Sequence, residues 1–289
     1  MSRTILENPI KSKFQQANKE VAEQMTPQEA SKQVVSETQN SPYSTNIVEL
    51  PSKGLLYPPE NPLSSGVVEI KYMTTKEEDI LTTESYIRSQ VVIDKLLQSL
   101  IVTKIDYDDL LLGDKNAIMI AARIYGYGAE YPIKVTTPSG EEQDVVVNLE
   151  ELQFKEFDES KITAGENRFE FILPIDKNEV VFQLITVGLN RKIEERLKKN
   201  RIAVQKGARD TQLSTRLSYM IQAVDGNSDP SFIKLFVENM KALDSRALRN
   251  YIASVQPDID LSLDIIDEGT GEPFRTDVRL ESQFFWPNA

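Results

Sequence analysis

Carboxylates, lysines, tyrosines and hydroxyls carry whatever covalent chemistry this chain can do, because its 289 residues include no cysteine and no histidine. That removes thiolate nucleophiles, the Ser–His–Asp and Cys–His arrangements, and the usual zinc, haem and iron–sulfur ligands. Disulfides are removed as a source of stability as well. Acid–base work by two carboxylates, as in a glycosidase, is the chemistry left open. With 45 acidic residues, some pair always falls at a usable spacing, so spacing nominates none. The GxGxxG, GxxxxGK[ST], GxSxG and DxDxDG patterns do not occur. The residues therefore point away from an enzyme and from any metal or cofactor.

Three groups of residues could instead act by contact. Residues 191–216 hold nine Lys and Arg against three acids, a local +6 in a chain of formal net charge −12. Arg191, Lys198, Lys199 and Arg201 are the candidates there, for an acidic partner or another copy's acidic surface. The plainer reading is a solvated helix face with internal pairs such as Glu194 with Lys198. Nucleic acid is disfavoured, because the remaining charge opposes it and no aromatic residues interleave the basic ones. The second group is the consecutive Phe284, Phe285 and Trp286 near the C-terminus. On a strand, Phe284 and Trp286 share one face and Phe285 takes the other, so one face either closes on the chain's own core or anchors an interface. The third is Arg123, alone in an apolar stretch; burial would demand a carboxylate, with Asp109, Asp114 and Glu130 at hand.

The elements that position these residues start with "DLLLGDKNAIMIAARIYGYGAEY". It reads as a helix capped by Asp114, apolar on almost every side and stopped by Gly126-Tyr127-Gly128. A helix without a wet face is a central core element or lies against a partner. Before it, Ile47–Leu50 and "GVVEIKYMT" read as strands, "TTKEEDIL" as a helix start capped by Thr74 or Thr75, and "QVVIDKLLQSLI" as an amphipathic helix. After it come a hairpin turning on Pro138-Ser139-Gly140 and another on Asp176-Lys177-Asn178. A helical pattern then runs from Asn190 to Val255, with breaks near Gly207 and at "DGNSDP", and Ser228 or Asp229 caps a helix opened by Pro230. A third hairpin turns on Gly269-Thr270-Gly271, and its strand–turn–Glu–strand order resembles that of the first.

The expected fold is α+β, mostly helical, with three antiparallel β-hairpins and a flexible N-terminal arm. The expected division is 1–45 for the arm, 46–160 for an α+β unit with the first hairpin, and 161–289 for the rest. Residues 1–45 are too poor in large apolar side chains to offset the entropy of ordering. No apolar run approaches the roughly 18–20 residues of a membrane span, and "MSRTILENPIKSKF" lacks a signal-peptide block. These features predict assembly in the cytoplasm without membrane contact.

The blocks "ELPSKGLLYP", "VEIKYMTTKEEDIL" and "DLLLGDKNAIMIAARIYGYGAEY", with the terminal "FFWP", resemble the baseplate-hub family of T-even-like contractile-tailed phages. The resemblance covers most of residues 47–140 and the C-terminal hairpin. It implies a virion structural protein acting through contacts with other baseplate or tail proteins, the tape-measure protein or further copies of itself among them. A transient assembly chaperone is the rival that it leaves open. In some relatives the first hairpin's turn resembles a zinc-ribbon knuckle with a Cys-Pro-x-Cys pattern. Here the turn reads Thr136-Thr137-Pro138-Ser139-Gly140, so no metal site carries over, and the turn must be held by proline, glycine and hairpin pairing.

Overall fold

The computed structural model describes residues 44–205, 207, 210–278, 280 and 282–285. The expected arm, residues 1–45, lies outside them but for Ser44 and Thr45. β1 (Thr45–Glu49) pairs antiparallel with β2 (Val67–Lys71), and the connection between them is the "LPSKGLLYP" loop. A capping box opens α1 (Thr75–Thr82): the Thr74 N–H and hydroxyl both donate to Glu77 Oε2, at 3.0 and 2.5 Å. α2 (Glu84–Ser89) and α3 (Val92–Leu100) follow, and α3 buries Val92, Leu96, Leu97 and Leu100, the stripe its spacing predicts.

α4 (Leu112–Tyr127) is the helix without a wet face. Ala117 to Ala122 are all buried, enclosed by β1, α3, the 149–151 turn and the C-terminal Ser282–Phe285 turn. Its sequence is apolar all round because the chain's own elements surround it. The expectation for its start needs correction, while the expected Gly126-Tyr127-Gly128 stop is where it ends. The N-cap is Leu111, whose extended backbone enters the helix; Asp114 lies in the first turn and points at the β1–β2 loop. The helix runs through Gly126, which packs against Met73, and stops at Gly128, whose φ of +88° few side chains tolerate.

β3 (Glu130–Thr136) and β4 (Glu142–Asn148) form the first hairpin, followed by the short β5 (Gln153–Phe154). The second hairpin is β6 (Phe169–Ile172) with β7 (Glu179–Phe182). α5 (Val187–Gln205) and α6 (Gln212–Met220) come next, and here the continuous helical reading fails. β8 (Ile221–Val224) leaves α6 directly and pairs with β7, completing a sheet of order β6-β7-β8. The open edge of β7 supplies a ladder that local helical preference does not outweigh. α7 (Pro230–Asn239) is capped by Asp229, whose side chain accepts from the Ser231 N–H, with Pro230 at its first position as expected. α8 (Ala242–Val255) leads to β9 (Ile259–Asp260), which pairs with β5. The third hairpin is β10 (Ser262–Ile266) with β11 (Pro273–Asp277). The fold is thus α+β with antiparallel hairpins as read.

The first and third hairpins lie side by side, with β4 and β10 running in opposite directions along the shared boundary. At their tips the Ser139 N–H donates to Asp267 Oδ2 and its hydroxyl to Oδ1, both at 3.2 Å. The Gln143 carboxamide spans the two strands, donating to the Ile266 carbonyl at 3.1 Å and accepting from the Glu268 N–H at 3.2 Å. At the other end the β5–β9 pair joins them again. Asp267 also accepts from the Gly269 N–H at 2.9 Å. Burial pushes its carboxyl upward, but these donors more than offset it and hold it below the usual carboxylate range. The turn of the first hairpin is therefore tied to its neighbour by a buried carboxylate.

Candidate functional site

Buried polar residues are where chemistry would show itself first, and each cluster here is satisfied internally. Asp114 is fully buried. It accepts from the Ser52 N–H at 2.9 Å, the Ser52 hydroxyl at 2.7 Å and the Tyr57 hydroxyl at 2.6 Å. Tyr57 in turn accepts from the Leu111 N–H at 2.9 Å. One phenol oxygen thus serves an orphan donor at the start of α4 and a carboxylate one turn on. Beside it, Gly113 lets the Pro257–Asp258 backbone pack against the start of α4, where a Cβ would stand 2.0 Å from the Pro257 carbonyl. Burial raises the Asp114 carboxyl to about 6, against the lowering by its three donors. Burial and the adjacent Asp114 push the Tyr57 hydroxyl far above its ordinary value. These bonds hold the β1–β2 loop on the first turn of α4.

Glu77 is a second such knot. It takes Lys71 Nζ at 2.8 Å and the Ser99 hydroxyl at 2.7 Å on Oε1, and Thr74 on Oε2. Burial opposes its ionisation, but these bonds outweigh burial and bring it to about 2. Arg123 corrects another expectation, since its partner is not a carboxylate. Only 1% exposed, its guanidinium donates to the carbonyls of Phe284 at 3.1 Å, Gly128 at 2.8 Å and Glu130 at 3.2 Å. It also lies 5.3 Å from the Tyr127 ring centroid. Three carbonyl dipoles fixed by chain turns replace one acidic side chain, and Arg123 ties the end of α4 to the C-terminus.

The C-terminal aromatics do not alternate. Ser282–Phe285 is a 3-10 turn, and Phe284 and Phe285 are 0% and 1% exposed. Phe284 meets Tyr131 edge-on at 5.0 Å and Phe285 at 5.3 Å. Both rings are core residues, because a helical turn that closes over α4 sends successive side chains inward. Trp286 lies outside the described residues.

The basic candidates are on α5, and the structure sorts them. Arg191 forms a bidentate pair with Asp108, at 2.8 and 2.9 Å, which raises its already high pKa. Glu194 pairs with Arg216 of α6 at 2.9 Å, not with Lys198, because α6 offers a rigid fork across the helix boundary. Lys192, Arg196, Lys198, Lys199 and Arg201 are exposed and form no ion pair among the described residues. Ile193 and Leu197 hold the opposite side of α5 in the core.

Among the described residues no group of acids could hold a metal ion, no buried side-chain nitrogen or oxygen lacks a partner, and no helix is long and apolar enough to cross a membrane. The buried polar groups are spent on fastening loops to helices, and the unspent charge is all on the surface. Residues 43–272 match the family described as T4 bacteriophage base plate protein, and the chain belongs to that family. It is thereby a structural protein of a bacteriophage baseplate, a component of the virion tail that meets other baseplate proteins. The chain matches no curated protein and no solved structure.

Sequence reasoning singled out Asp114 and Arg123 but missed Ser52, Tyr57 and the carbonyls that complete their clusters. The "LPSKGLLYP" block carried that signal: a serine and a tyrosine five residues apart around a glycine turn.

Proposed function

We propose that this chain occupies the hub of a contractile-tail baseplate and works there entirely through protein–protein contacts, without catalysis. The observation that supports this reading is the exposed cationic face of α5 on a family member whose formal net charge is −12. An isolated basic helix face on an acidic protein favours encounter with an acidic surface and disfavours an anionic polymer. Lys198, Lys199 and Arg201 are the contact residues, and α5 displays them on a helix anchored by Ile193 and Leu197. Tape-measure and neighbouring hub proteins are the partners that the reading expects.

Affinity capture of the full chain from phage-infected cells tests it. Hub proteins should co-purify at low salt and fall away as salt rises, and the K198E/K199E/R201E variant should lose them. Capture of outer-baseplate proteins alone, or capture unchanged in the variant, would refute the hub assignment.

A further inference from the structure

The surface that best fits the basic face of α5 is on the chain itself. Residues 130–148 and 262–277, the first and third hairpins, hold nine carboxylates against two cations, a local −7. Residues 187–205, α5, hold six cations against two acids. The hairpin charge has a definite layout. Gln143 bonds to the backbone on both sides of Asp267, which brings β4 alongside β10. Glu142, Asp144, Asp264 and Glu268 are exposed there. Val146 and Ile266, at 64% and 62% exposed, stand among them. Below the Gln143 bridge the two strands part, leaving a slot of about 350 Å³ lined by β4 and β10. Lys134 stands directly across from Asp144, and Arg275 across from Asp264, in the two ladders; Arg275 is engaged by Asp260 and Ser262, and the two cations leave the hairpins their net −7.

On α5, Lys192, Arg196 and Lys199 follow i, i+4, i+7 spacing and form one stripe, about 10 Å long. Lysine and arginine suit a mixed acidic and aliphatic patch, because their methylene stems cover apolar surface while their heads reach carboxylates. No ion pair joins α5 to either hairpin within one chain among the described residues.

We infer that the acidic partner of α5 is a second copy of this chain, with the Lys192–Arg196–Lys199 stripe of one copy seated on the β4–β10 face of the next. The inference rests on the reading of α5 as a contact helix, and it names the occupant. Such a contact joins two different patches, so a pair of copies retains one free α5 stripe and one free hairpin face. The assembly then grows head to tail into a closed ring or an open filament, and does not stop at a symmetric dimer.

Sedimentation velocity on the full-length chain tests this with two opposite variants. K192E/R196E/K199E makes both faces acidic, and E142K/D144K/D264K makes both faces basic. Wild type should form species larger than a dimer at low salt and dissociate as salt screens the contact. Each variant alone should associate on the order of tenfold or more weakly. An equimolar mixture of the two should recover association, since every contact in it again pairs opposite charges. The near-isosteric E142Q/D144N/D264N variant, which adds no repulsion, should also associate more weakly than wild type. A wild type that stays monomeric, or a variant mixture that fails to associate, overturns the inference. So do low-salt species that contain nucleic acid and vanish on nuclease treatment. A monomeric wild type that still captures hub proteins through α5 would refute the second-copy partner while leaving the hub reading standing.

Discussion

Removing the Tyr57 hydroxyl should destabilise the protein by about 3–5 kcal/mol, although the ring and its packing stay in place. The oxygen accepts from the Leu111 N–H at 2.9 Å and donates to Asp114 Oδ2 at 2.6 Å. In Tyr57→Phe the buried amide loses its acceptor, worth about 1–3 kcal/mol, and the carboxylate loses one charge-assisted bond, worth about 1.5–3 kcal/mol. No cavity forms beyond one oxygen atom, so the change reads the hydrogen bonds with little packing loss. Against a typical stability of about 5–15 kcal/mol, a shift of that size moves the urea midpoint plainly while leaving the slope unchanged. Ser52→Ala should show a smaller loss, about 2 kcal/mol, because the Ser52 N–H still reaches Asp114 at 2.9 Å. Combining Tyr57→Phe with Asp114→Asn should give less than the sum of the two, since both changes disrupt one network. A Tyr57→Phe variant within about 0.5 kcal/mol of wild type would refute the claim that this cluster fastens the loop to α4.

Acid should act through Glu77 and Asp114 in opposite directions. Glu77 falls from an ordinary 4.5 to about 2 in the fold. Its contribution, about 3 kcal/mol, is therefore present above pH 4.5 and lost as pH drops through 2, and Glu77→Gln should flatten that part of the stability profile. Asp114 rises from 3.8 to about 6, so it favours folding most below pH 4, and that contribution, also about 3 kcal/mol, is lost as pH climbs through 6. Asp114→Asn should remove this slope in urea melts followed from pH 4 to 7. Phe285→Ala should lose about 3–5 kcal/mol by leaving a cavity beside α4, with melting near wild type as the contrary result. Arg123→Lys should be destabilising by about 2–4 kcal/mol, because a lysine cannot reach three carbonyls in one plane; a wild-type melting temperature would contradict it. A chelator should leave the melting temperature unchanged, and a fall of several degrees would reveal a metal that the Cys- and His-free sequence gives no sign of.

The sequence made local features legible wherever local chemistry decided them. The Thr74 cap of α1, the Asp229-Pro230 start of α7 and the polar, glycine- or proline-bearing turns of the first and third hairpins all follow from residues within a few positions of one another. β8 was hidden because its partner, β7, lies some forty residues upstream and a four-residue strand has no period of its own. Arg123 was misread for a different reason. Carbonyl oxygens belong to every residue, so the three that receive its guanidinium leave no mark in the sequence, and a carboxylate was the only partner that residue types could suggest. Ser52 and Tyr57 are more than fifty positions from Asp114, and only the fold shows that two of the family-like blocks meet there. The terminal phenylalanines were correctly singled out as needing an anchor, but strand alternation was the wrong period for a 3-10 turn.

Quantitative mass spectrometry of purified virions tests the central claim most directly. If the chain is a structural part of the baseplate hub, its peptides should be present in a fixed ratio to the other baseplate proteins and remain with isolated baseplates after tails are dissociated. Abundance in infected cells with absence from the finished particle would contradict the account and make the protein a transient assembly chaperone.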